Sequence, residues 1–87
     1  MRTHALAASW AAAVLTGACA YYNGLYNANR LAADAARARR EGRPAEARSL
    51  WEQAAIKAES VAVRHPRSRY RDRARLLQGE SLREAGA

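Results

Sequence analysis

The chain has 87 residues, enough for at most one small domain, and carries 15 basic against 8 acidic residues. All but one of the basic residues are arginine, alanine is abundant and phenylalanine is absent, so the composition favours helices over a sheet. A single cysteine, Cys19, excludes an intramolecular disulfide and a cysteine-based zinc site, so we expect no metal.

Residues 1–18 have the three parts of an export signal. Arg2 and His4 form a basic head, residues 5–15 form an apolar run, and small residues follow at 16–18. The run is shorter than the roughly 20 residues that a membrane-spanning helix needs. Because no polar face recurs at helical spacing, a buried alanine-rich helix of a cytosolic protein is disfavoured. We therefore predict a signal peptide over 1–18.

The cysteine after this run allows two kinds of processing. Thr16-Gly17-Ala18-Cys19 resembles a lipobox, in which the cysteine becomes the first mature residue and carries acyl groups, although a bulky aliphatic residue is usual in place of Thr16. Ala18-Cys19-Ala20 is also an A-x-A exit, which would release a soluble periplasmic protein beginning at Tyr21. A free thiol is a liability in an oxidising compartment, whereas an acylated one is an anchor, so we expect lipid attachment at Cys19.

The residue after the cysteine indicates which membrane the lipoprotein would reach. Ala20 is not the aspartate that resembles an inner-membrane retention signal. The resemblance to bacterial lipoproteins therefore implies an outer-membrane protein that faces the periplasm. Residues 19–28 are then the lipid-anchored N-terminal segment and the start of a helix.

The first predicted helix runs to about Glu41. Gly24, near its beginning, weakens it because glycine has a low helix propensity. Gly42 ends the helix, since glycine tolerates a positive φ, and Pro44 begins the next one at a position where its missing N–H costs nothing.

The second helix has the clearest amphipathic pattern and ends at His65-Pro66. Ser68 is predicted to cap a third helix that runs from Arg69 to about Ala85. The side chains expected to pack between the helices are Leu31, Ala35, Ala47, Leu50, Trp51, Ala54, Ala58, Tyr70, Ala74 and Leu77.

Residues 31–54 resemble a tetratricopeptide repeat. The large, small and glycine positions of that motif are matched by Leu31, Ala35, Ala38, Gly42, Ala47, Trp51 and Ala54. The stretch from His65 to Tyr70, followed by Ala74 and Gly79, resembles the start of a second repeat. Together with CAYYNGLYNA, the chain after the signal is similar to the N-terminal end of tetratricopeptide lipoproteins, a group that includes the lipoprotein subunit of the outer-membrane β-barrel assembly machine.

The resemblance implies an all-α fold. Residues 29–66 would form an antiparallel helical hairpin of tetratricopeptide type, and residues 67–87 the first helix of an incomplete second repeat. Gly42 and Gly86 are 44 residues apart, against about 34 for the standard repeat, so the second helix should be longer than usual. We expect a fragment or a truncated copy of a longer repeat protein.

No constellation in the sequence predicts catalysis or a cofactor. His65 stands beside a proline at a helix end, where capping is a simpler role than that of a catalytic base. The carboxylates are spread along helix faces, and no glycine-rich phosphate loop is present. We expect a protein that is not an enzyme.

Six arginines stand between residues 64 and 75, interrupted by Asp72. We rank a solvated helical surface first and contact with anionic lipid headgroups second. Nucleic acid is third, because only Tyr70 interleaves with the arginines and an exported chain rarely meets DNA.

The leading function hypothesis is a lipid-anchored scaffold that binds a protein or peptide in the cell envelope, in envelope or outer-membrane assembly. The partner would lie in a groove lined by Tyr22, Tyr26, Arg30, Arg37 and Arg40. The alternative is a small structural tether without a dedicated client, whose partial repeat serves to form a homodimer.

Overall fold

The computed structural model describes residues 23–87, which form three helices and no strand. Helix α1 occupies residues 23–40, α2 spans Pro44–Arg64 and α3 spans Arg71–Gly86. The all-α prediction is confirmed for this part of the chain. The predicted signal segment, Cys19 and Tyr22 lie outside the described residues.

The turn between α1 and α2 is set by Gly42. Its φ of 75° lies in the left-handed region, as the sequence predicts. Its N–H donates to the carbonyl of Arg39 over 3.1 Å, and the N–H of Arg43 donates to the carbonyl of Ala38 over 2.9 Å. This pair of bonds is a Schellman motif, and it satisfies two carbonyls at the end of α1.

Arg43 ties the beginning of α2 to the turn. Its guanidinium bonds to the carboxylates of Glu41 and Glu46, and these bonds, the one to Glu41 first, raise the pKa of Arg43 above its ordinary value. Pro44 occupies the first turn of α2 and Glu46 complements the helix N-terminus, both as predicted.

The start of α3 differs from the prediction. The helix begins at Arg71, two residues later than expected, and Ser68 does not cap it. The Ser68 hydroxyl instead accepts the N–H of Tyr70 over 3.2 Å, and its backbone N–H donates to the carbonyl of His65 over 3.1 Å. Ser68 therefore stabilises the turn after α2, because its side chain bonds a donor upstream of the helix.

Two contacts show the relative directions of the helices. Gly24 of α1 lies against Val61 of α2, since a Cβ placed on Gly24 would be 2.8 Å from Val61 Cγ2. The beginning of α1 thus meets the end of α2, and the two run antiparallel. Arg39, near the end of α1, bonds to Glu84, near the end of α3, so α3 runs in the same direction as α1.

The core is built mainly from alanine. Its central cluster consists of Leu25, Ala28, Ala32, Ala54, Ala58, Val61, Ala62, Ala74 and Leu77. Among the residues predicted to pack, those that are buried are Ala35, Ala47, Ala54, Ala58, Ala74 and Leu77. The larger ones, which are half-buried, are Leu31, Leu50, Trp51 and Tyr70. Alanine therefore forms most of the interior, and most of the bulky side chains border it.

A pair of glycine substitutions tests the close approach of α1 to α2. Gly79→Ala adds a Cβ that meets nothing within 4 Å and should stabilise α3 by up to about 1 kcal/mol. Gly24→Ala makes the same gain in helix propensity but presses against the stiff, buried Val61, which should cost about 1–3 kcal/mol. Thermal unfolding followed by circular dichroism should therefore show a lower Tm for Gly24→Ala than for the original chain. Equal stabilisation by both substitutions would contradict this packing.

Candidate binding groove

A groove lies between the parallel helices α1 and α3. One part is a cleft of about 400 Å³ lined by Ala36, Arg39, Arg40, Trp51, Glu80, Arg83 and Glu84. The other is a cleft of about 280 Å³ lined by Leu25, Asn29, Arg73, Leu76, Leu77 and Glu80. Glu80 belongs to both linings, so the two clefts are neighbours along α3. We call the combined surface the α1–α3 groove.

The α1–α3 groove joins apolar surface to positive charge. Its most exposed apolar side chain is Leu76, at 64%, and Trp51 from α2 contributes an indole ring. The charged residues in its lining are four arginines and two glutamates, a net charge of +2: Arg39, Arg40, Arg73, Arg83, Glu80 and Glu84. Such a surface suits a ligand that offers both an apolar side chain and a carboxylate.

Arg39 joins the two walls of the groove at one end. Its guanidinium bonds to the Glu84 carboxylate and also donates to the Glu84 backbone carbonyl over 2.7 Å. Arg83 lies 3.6 Å from the second oxygen of the same carboxylate. Glu84 is therefore already engaged within the protein, and its charge offsets that of Arg39.

Arg40 and Glu80 are two charges of the groove, one on each wall, that remain open to a ligand. Neither makes an ion pair with another residue of the range 23–87. Both side chains are exposed. A ligand could therefore place an acidic group at Arg40 and a donor at Glu80 without first breaking an internal bond.

Of the four predicted partner-binding residues that the structure describes, only one lines the groove. Arg40 does so, whereas Tyr26, Arg30 and Arg37 are exposed on the adjoining side of α1. Arg37 is paired with Asp34 over 2.9 Å within the same helix. Tyr22 lies outside the described residues. The helical spacing of the predicted residues placed them on a common side of α1. It did not indicate which side of α1 faces α3.

The opposite wall, on α3, was missed by sequence reasoning. Leu76, Glu80 and Arg83 all come from this helix. The repeat resemblance offered a signal for them, because it predicts that the first helix of each repeat lines the same surface. It did not indicate which side chains of α3 reach α1.

Two buried polar atoms lie within the described part of the chain without a hydrogen-bond partner. They are Trp51 Nε1 and Ser81 Oγ. An unsatisfied buried donor costs about 1–3 kcal/mol, so these two positions reduce the stability that the alanine core supplies. The indole N–H faces the interior and leaves the ring itself at the groove.

Metal and membrane-spanning functions find no support in residues 23–87. No group of three or more His, Cys, Asp or Glu side chains there could hold a metal ion. No helix in this range is long and apolar enough to cross a membrane.

Comparison with known proteins adds no relative. No protein-family model matches the chain, and no curated protein or solved structure matches it significantly.

A matched pair of arginine substitutions tests the bond between α1 and α3. Arg39→Gln removes a contact between two helices and should lower the free energy of unfolding by about 1 kcal/mol, because both partners are only partly exposed. Arg37→Gln removes a pair within α1 only and should cost no more than about 0.5 kcal/mol. Chemical denaturation measures both. Equal effects of the two substitutions would show that Arg39 does not hold α3 in place.

Proposed function

We propose that the chain is a lipid-anchored, tetratricopeptide-like scaffold that binds a protein or peptide partner in the cell envelope. It lies at the outer membrane and faces the periplasm. The observation that carries the proposal is the α1–α3 groove, whose two walls come from helices of the same direction. The role needs no catalytic group and no cofactor.

The arrangement of the helices supports a repeat-like architecture. Tandem helical repeats stack so that equivalent helices run parallel and line one continuous surface. Here α3 follows α1 in direction, and α2 lies antiparallel to α1 after a short link at residues 41–43. The 21-residue α2 is longer than half of a repeat of about 34 residues, in line with the long spacing between Gly42 and Gly86.

The chemistry of the groove limits the partner. From Leu25 to Arg40 the groove follows α1 for about 22 Å, at the helical rise of 1.5 Å per residue. About seven residues of an extended peptide cover that length. The best match is a short extended segment with apolar side chains for Leu76 and Trp51 and an acidic group near Arg40.

The anchor is the second part of the proposal. Acyl chains on Cys19 would hold the protein on a bilayer, because each buried CH₂ contributes about 0.8 kcal/mol. The described residues begin four positions after this cysteine, so the three helices would lie close to the membrane.

Intact mass spectrometry of the protein from the membrane fraction tests the anchor. We expect a mature chain that begins at Cys19 and carries acyl groups, because the lipobox-like sequence ends there. Cys19→Ser should prevent acylation, so the acylated, membrane-bound mature chain should no longer be found. An unacylated chain that begins at Tyr21 would contradict the anchor and indicate a soluble periplasmic protein.

Peptide binding tests the groove. The probe is a heptapeptide of alternating glutamate and leucine, and the readout is Trp51 fluorescence, because the other tryptophan, Trp10, is in the predicted signal segment. Arg40→Glu should weaken binding about tenfold, since it reverses one charge in the groove lining and so costs about 1.4 kcal/mol.

Arg48→Glu is the matched control. Arg48 is exposed on α2, lies outside the groove lining and makes no ion pair with residues 23–87. It should leave the affinity within about twofold, since the two variants have the same net charge and rim charges at a distance are screened. Equal losses in both variants, or no binding to the original chain, would contradict the scaffold.

The alternative is a tether that associates with itself. Ile56 and Val63, seven residues apart on α2, are 67% and 60% exposed. Their helical spacing places them on one face, where a second copy of the chain would cover them. A stable dimer that binds no peptide would favour the tether over the scaffold.

A further inference from the structure

The positive charge of the described chain is concentrated at one end. Residues 64–75 contain six arginines and one aspartate, and so a net charge of +5. Residues 23–87 as a whole contain 14 basic and eight acidic residues, a net charge of +6. The rest of the described chain is therefore close to neutral.

This charged segment lies beside the beginning of α1. A cleft of about 200 Å³ is lined by Asn23, Gly24, Asn27, Lys57, Ser60, Val61, Arg64 and His65. Residue 23, from which the chain leads back to Cys19, thus lies at the same end of the helices as the α2–α3 turn. The turn between α1 and α2, with its paired Arg43, lies at the other end.

The arginines at this end are exposed to solvent, so their charges can interact with a ligand. Arg64, Arg67, Arg69, Arg71 and Arg73 are all exposed, and we call them the arginine turn. Arg64 and Arg67 form no ion pair with a carboxylate of residues 23–87. Arg71 lies 3.6 Å from the highly exposed Asp72.

Two members of the arginine turn lie over the ring of Tyr70. The guanidinium carbon of Arg69 lies 4.9 Å from the centre of the Tyr70 ring, and that of Arg73 lies 5.7 Å from it. The only Phe, Tyr or Trp ring between the arginines is thus covered by two cations. Single-stranded nucleic acids bind by stacking their bases on exposed aromatic rings, and the covered Tyr70 ring does not offer such a surface.

The distance to the anchor is short. Asn23 is four positions after Cys19, and four residue-to-residue steps of a fully extended chain span at most about 14 Å. The headgroup layer of one leaflet is roughly 5–8 Å thick, and charges interact over a Debye length of about 8 Å. An acylated Cys19 would therefore hold the arginine turn within reach of the lipid headgroups.

We propose that the arginine turn docks on the anionic headgroups of the membrane that holds the anchor. The helices then stand end-on, with the α1–α2 turn and the adjacent end of the α1–α3 groove directed away from the bilayer. The orientation rests on the proposed anchor, whereas the affinity for anionic lipid does not. Each cation near an anionic surface strengthens binding roughly fivefold.

Vesicle co-sedimentation of the full-length, unacylated chain tests the lipid surface. One set of vesicles contains phosphatidylglycerol and phosphatidylethanolamine, and the other contains phosphatidylcholine alone. The double substitution Arg64→Gln and Arg67→Gln should weaken binding to the anionic vesicles roughly 25-fold. It should leave binding to the neutral vesicles unchanged. Any binding through the apolar run at residues 5–15 is the same on both kinds of vesicle, and the substitution does not alter that run.

The matched control is the double substitution Arg40→Gln and Arg48→Gln. It removes the same charge from two exposed arginines that also lack an ion pair with residues 23–87. It should weaken anionic binding less than fivefold. Equal losses in the two variants would overturn the proposal, because net charge alone would then explain binding.

A competition experiment separates lipid from nucleic acid. A random DNA duplex, added at the same phosphate concentration as the anionic vesicles, should leave most of the protein on the vesicles. Displacement by the duplex would overturn the assignment to lipid. The assay uses neither acyl groups nor peptide, so its failure leaves the anchor and the groove standing, and their failure leaves this proposal standing.

Discussion

The structure depends on the close approach of helices through small side chains. Six of the nine residues of the central cluster are alanine, and Gly24 lies where even one added carbon would meet Val61. Alanine buries little area, so the helices gain stability only by packing near one another over their whole length. Few larger side chains fit between such helices, and Leu25, Val61 and Leu77 are the ones in the central cluster. Trp51 and Leu76 are therefore left at the edge, where they line the α1–α3 groove.

The two ends of the helices differ in how their charges are paired. Near the ends of α1 and α3, Arg39 is offset by Glu84, and in the turn that follows α1, Arg43 is offset by Glu41 and Glu46. At the other end the arginines outnumber their acidic neighbours, and two of them share the ring of Tyr70. One end thus uses charge to hold helices together, and the other presents it to solvent. In the proposed orientation, the second end meets the membrane, and the first, which includes the part of the α1–α3 groove near Arg40, is directed away from it.

Much of the fold could be predicted because its signals are local. Gly42 and Pro44 decide where α1 ends and α2 begins through their own backbone geometry, and the structure has both as expected. Ser68 shows the limit of such a signal. A serine before a helix can bond either a helical N–H or a turn N–H, and here it bonds Tyr70, so α3 begins two residues later. Gly24 was interpreted only as a weak helix former, because a sequence does not display the neighbouring Val61.

The sequence by itself determined three helices, their approximate ends and the small side chains that pack between them, because propensity, capping and periodicity act over a few residues. The tertiary structure decided which side of α1 meets α3. It brought Arg40, and not Tyr26, into the groove and supplied Leu76 and Glu80 as the facing wall. It also placed the arginine turn beside residue 23. These arrangements join residues more than 30 positions apart, and they arise from packing between helices, which no short stretch of sequence specifies.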